Sequence, residues 1–163
     1  MNQHITRTEH SAPAQQFTVL LSPTRRGARL ARLLATAHLG DWGIVCEPAA
    51  HIVAELAANA AVHGRVTGRD FQLGLTARRD GLLRIEVTDT RAEQLPIVST
   101  PDQYAESGRG LLIVEALADR WGIDLGAVPR KTIWAELDLV PRPLHRVAET
   151  HAPVSHVPAL HDA

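Results

Sequence analysis

A single cysteine, Cys46, leaves this 163-residue chain no intrachain disulfide and no cysteine-based zinc site. An excess of one charge is missing as well. The formal net charge is −1 at pH 7 and the pI about 6.8, so no bulk electrostatic pull toward nucleic acid or an anionic membrane exists. No apolar run approaches the ~20 residues that span a bilayer, and residues 1–16 lack the apolar core of a secretory signal. A cytoplasmic protein is expected. Lysine is nearly absent, with Lys131 the one example. Histidine is plentiful, but His151, His156 and His161 are loosely spaced, and His51 and His63 lack a second ligand pair for a metal.

What the chain does have is enough apolar residues, 45%, for one domain with a sizeable core. Residues 1–13 read as a frayed arm, 14–140 as the domain, and 141–163 as a solvated tail. Residues 17–21 form an apolar, β-branched-containing run that predicts a strand. Thr24 is placed to cap a helix over 25–37, and the stretch from Gly40 to Gly43 interrupts the pattern. Glu47 and Pro48 open a second helix that Gly64 closes. Two alternating runs, 70–79 and 83–89, flank Asp80-Gly81, a strong hairpin signal. Residues 90–110 make a loop of about twenty residues, a length that in a compact domain usually marks a functional lid. A short helix over 110–119 and a hairpin of 121–125 with 132–139 complete the set. Helices segregated from a mostly antiparallel sheet predict an α+β fold, a two-layer α/β sandwich with helices on one face.

Three segments carry chemistry. In the second helix Glu55, Asn59 and His63 stand four residues apart and form one narrow row. That row overlaps the arc of Ile52 and Leu56, which predicts that it faces inward, where unpaired polar groups are costly. Asp89 follows the apolar strand directly, where a carboxylate can accept a hydrogen bond from an exocyclic amine. Glu106-Ser-Gly-Arg-Gly-Leu111 is a glycine-rich turn feeding a helix, which lets backbone N–H groups converge on an anion.

Together these segments resemble the GHKL nucleotide-binding superfamily (gyrase, heat-shock chaperone, histidine kinase and mismatch-repair ATPases). Glu55-x-x-x-Asn59-Ala-x-x-His63-Gly64 is similar to its N-box, Asp89 to the aspartate of its G1 box, and Ser107-Gly-Arg-Gly-Leu-Leu to its G2 box. Lys131-Thr132-Ile-Trp-Ala-Glu resembles its terminal strand. The closest likeness is to the stand-alone anti-sigma-factor serine/threonine kinases of bacteria, over residues 16–139.

The resemblance implies the Bergerat ATP-binding fold, with ATP and Mg²⁺ as cofactors. Glu55 would be the general base and Asn59 the Mg²⁺ ligand, with His63 toward the phosphates. Asp89 would read the adenine amine with support from Thr132. Gly108, Arg109, Gly110 and the helix start at Leu111 would wrap the phosphates under a lid of residues 96–106. Implied partners are a sigma factor and an antagonist protein, and pairing into a homodimer is common in that branch.

One departure bears on function. The superfamily carries glycines shortly after the G1 aspartate, whereas Asp89 is followed by Thr-Arg-Ala-Glu. The alternative expectation is therefore a non-catalytic, nucleotide-dependent protein-binding module with the same fold.

Overall fold

The hairpin expected around Asp80-Gly81 is present in the computed structural model, which describes residues 13–62, 68–90, 109–127 and 129–140. β2 (Phe71–Arg78) pairs antiparallel with β3 (Leu82–Asp89), with Leu73 opposite Val87 and Leu75 opposite Ile85. Gly81 turns the chain with φ 82°, and its carbonyl accepts from Leu139 N–H at 2.7 Å. β1 (Pro13–Leu21) flanks β2, while β5 (Lys131–Asp138) inserts between β3 and β4 (Arg120–Leu125). The order is β1-β2-β3-β5-β4, and every neighbouring pair is antiparallel.

The helices form the second layer. In α1 (Arg25–Asp41), the Thr24 hydroxyl accepts from Gly27 N–H at 3.0 Å, which is the expected cap. The helix runs four residues beyond the expected end and passes through Gly40. Glycine in a helix costs about 1 kcal/mol, but Leu39 is 3% exposed and its burial outweighs that. Gly43, at φ 73°, reverses the chain instead. α2 (Glu47–Val62) packs against α1, against α3 (Arg109–Leu117) and over β3. Its Ile52, Val53, Leu56 and Ala57 meet Leu73, Leu83 and Ile85 in one buried core. Each fully buried Leu or Ile there contributes about 1.5–3 kcal/mol.

The two-layer α+β architecture is thus as expected, with the core between helices and sheet. Among the described residues no helix is long and apolar enough to cross a membrane. Of the expected arm, 1–13, Pro13 opens β1 and the rest lies outside the described residues, as do the expected tail, 141–163, Gly64 and the lid segment.

The sheet face away from the helices is polar. Arg84 donates to Glu86 at 2.9 Å and to Glu136 at 3.0 Å, and lies 4.4 Å over the Trp134 ring. Arg120 donates to Glu136 at 2.9 Å and to Asp138 at 2.8 Å. Burial pushes the Glu136 carboxyl up, but the hydrogen bonds from Arg120 and Arg84 prevail and hold it below the usual carboxylate range.

Candidate functional site

α2 brings Glu55 and Asn59 to the margin of its buried face, and both are half-buried. The buried stripe of α2 is centred on Val53, Leu56, Ala57 and Ala60; the row expected to face inward borders this stripe, and its described members, Glu55 and Asn59, face α3. A methyl group on Gly110 would sit 2.8 Å from Glu55 Oε2 and 3.5 Å from Asn59 Oδ1. Only a residue without a side chain lets the first turn of α3 approach this carboxylate and carboxamide so closely. Backbone N–H groups in that turn have no partner within the helix and carry partial positive charge.

Of the other residues in the turn, Arg109 is exposed and Leu111 is 2% exposed within the core. Leu111 therefore offers a ligand its backbone, not its side chain. Gly108 and His63 lie outside the described residues.

The second cluster closes the end of β3. Leu83, Ile85 and Val87 point to the helices with period two, and Asp89 continues that row at 5% exposed. Its antiparallel partner on β5 is Lys131, itself 3% exposed, and Lys131 Nζ lies 3.4 Å from Asp89 Oδ2. The next hydroxyl in the chain, Thr90 Oγ1, is buried with no hydrogen-bond partner among the described residues.

Thr132 is not part of this cluster. It pairs with Thr88, and the two hydroxyls lie 2.7 Å apart on the outer face of the sheet. Adjacent strand residues point to opposite faces, so the inward position beside Asp89 belongs to Lys131. The signal was present in the sequence: Ile133, Ala135 and Leu137 are the apolar row of β5, and Lys131 is its next member.

Both clusters lie on the helix-covered side of the sheet, joined through α2, which packs over β3 and against α3. The donor set fits a magnesium nucleotide. Mg²⁺ in such sites takes most ligands from phosphate and water and needs only one or two from the protein, a role open to Asn59. Among the described residues no group of three or more His, Cys, Asp or Glu could hold a metal ion by itself.

Residues 21–136 match the family model described as the histidine kinase-like ATPase domain. No curated protein matches the chain. Among solved structures, the RsbU and RsbW domains of Rv1364c from Mycobacterium tuberculosis superpose with a TM-score of 0.60 at 23% identity. The alignment covers 78% of this chain and 33% of that one, so the chain spans about a third of that structure. At this identity the likeness is one of fold.

Proposed function

Because this chain belongs to the histidine kinase-like ATPase family, we propose that it is an ATP- and Mg²⁺-dependent regulatory serine/threonine kinase of the anti-sigma-factor type. It transfers the γ-phosphoryl group of ATP to a serine or threonine of an antagonist protein, and binds a sigma factor in the other state of the switch. The observation that carries this reading is the approach of Glu55 and Asn59 to Gly110. It combines a proton acceptor, a neutral oxygen donor and a helix N-terminus at one point.

Phosphoryl transfer needs mostly positioning and charge neutralisation. Bound Mg²⁺ supplies part of that neutralisation. The backbone N–H groups at the start of α3 would bind phosphate oxygens, and Asn59 would hold the Mg²⁺. Glu55 accepts the proton of the attacking hydroxyl as the hydroxyl oxygen bonds to the γ-phosphorus and the bond from that phosphorus to the bridging oxygen breaks, releasing ADP. Asp89 fixes the base at the other end, and exposed Arg109 is free to meet phosphate or the partner protein.

The test is γ-labelled ATP added to the full chain with partners co-purified from the native cytosol. Glu55→Gln keeps ATP binding and lowers transfer by at least about 100-fold, the usual worth of a general base. Unchanged transfer would remove Glu55 from the chemistry. The Lys131–Asp89 ion pair favours a second reading, a non-catalytic module whose base pocket is partly satisfied by its own lysine. That reading predicts nucleotide-dependent partner binding with no label transferred by the wild-type protein.

A further inference from the structure

Asp89 and Lys131 are the only buried polar or charged residues of the core among the described residues. A buried ion pair is a poor source of stability, because desolvating two charges offsets their attraction and an apolar pair of similar size often serves as well. Every other position of the inner row of β5 is apolar: Ile133, Ala135 and Leu137. The pair also sits where β3 ends and β5 begins, at the rim of the sheet rather than in its middle. A hydrogen-bond acceptor and a hydrogen-bond donor are therefore held side by side, 3.4 Å apart, on the face that carries the candidate site.

Adenine presents the complementary pattern along one edge, an exocyclic amine next to the unprotonated ring N1. We propose that Lys131 is a specificity-determining residue that contacts the base. The Asp89 carboxylate accepts from the amine, and the Lys131 ammonium donates to ring N1. This rests on the nucleotide-binding reading above and adds a base contact to it. An ammonium at this point also makes the base site more selective than a carboxylate alone, since it rewards an acceptor at one defined ring position.

The test compares ATP with 1-deaza-ATP, which keeps the amine and replaces ring N1 by a carbon, by calorimetry on the full chain with Mg²⁺. Wild type binds ATP about tenfold more tightly than the analogue, the scale of one hydrogen bond to a charged donor. Lys131→Met lowers that ratio to about one, whereas a merely structural lysine would weaken both nucleotides equally and leave the ratio unchanged.

Since Lys131→Met leaves a buried carboxylate uncompensated, the double variant Asp89→Ala with Lys131→Met gives the same reading in a neutral pocket. It removes the acceptor for the amine as well as the donor to N1, so both nucleotides weaken and their ratio again falls to about one. A ratio that survives in either folded variant, or a wild type that prefers GTP to ATP, overturns the proposal while leaving nucleotide binding intact. Absence of heat with any nucleotide overturns both readings together.

Discussion

Gly110 and Glu55 stand so close that a single added carbon would lie 2.8 Å from the carboxylate oxygen Oε2. The obstructing atom is the far end of a flexible side chain, not backbone, so the contact can yield. Gly110→Ala therefore leaves the fold nearly intact, within about 1 kcal/mol of wild type by chemical denaturation. The methyl group displaces Glu55 from its position beside the helix start, and the proposed phosphoryl transfer is expected to fall by about tenfold or more, as small misplacements at reacting groups do. Loss of stability equal to loss of activity would assign the glycine to packing alone.

The proposed function gives Asn59 to the metal and Glu55 to the proton, two roles that separate experimentally. Asn59→Ala weakens ATP binding about tenfold in the presence of Mg²⁺, the scale of one charge-assisted contact. With excess chelator, wild type and variant bind ATP alike. Equal weakening with and without the metal would show that Asn59 touches the nucleotide directly.

A pH dependence follows from the outer face of the sheet. Arg120 and Arg84 hold the Glu136 carboxyl below its usual range, and its side chain is 16% exposed. A group depressed on folding contributes stability above its unfolded pKa, about 4.3 for glutamate, and loses it as pH falls toward the folded value. Glu136→Gln is accordingly less stable than wild type at pH 7, by about 1–2 kcal/mol for hydrogen bonds to charged partners. Melting temperatures followed from pH 7 to pH 3 should converge below about pH 4. A constant difference over that range would remove Glu136 from the linkage.

The start of α1 depends on two neighbours. Thr24→Ala removes the acceptor for Gly27 N–H and costs about 1 kcal/mol. Gly27→Ala is worse, because its new carbon would clash with the Ser22 carbonyl oxygen, and backbone cannot swing aside as a side chain can. A loss of about 1–3 kcal/mol is expected, read from urea denaturation midpoints. A neutral Gly27→Ala would mean that the chain entering α1 shifts freely.

Local chemistry determined much of this protein. Asp80-Gly81 between alternating runs specified the β2–β3 hairpin, Thr24 specified the start of α1, and Glu47-Pro48 the start of α2. Each is a short-range decision in which backbone dihedrals and nearby hydrogen bonds suffice. Glu55, Asn59, Asp89 and Gly110 were likewise legible as candidates, because their residue types contradict the apolar pattern around them or suit a tight helix entry.

Tertiary structure decided what those residues face. The row of Glu55 and Asn59 borders the buried stripe of α2, and its partner is the first turn of α3, far off in the chain. Likewise the insertion of β5 between β3 and β4 sets Asp89 against Lys131 and sends Thr132 to the opposite side with Thr88. Period-two alternation tells which residues of one strand share a face, but strand order and register are settled by burial summed over the whole sheet. That global sum is why a motif could name the acid at the end of β3, while only the assembled sheet could supply its cation.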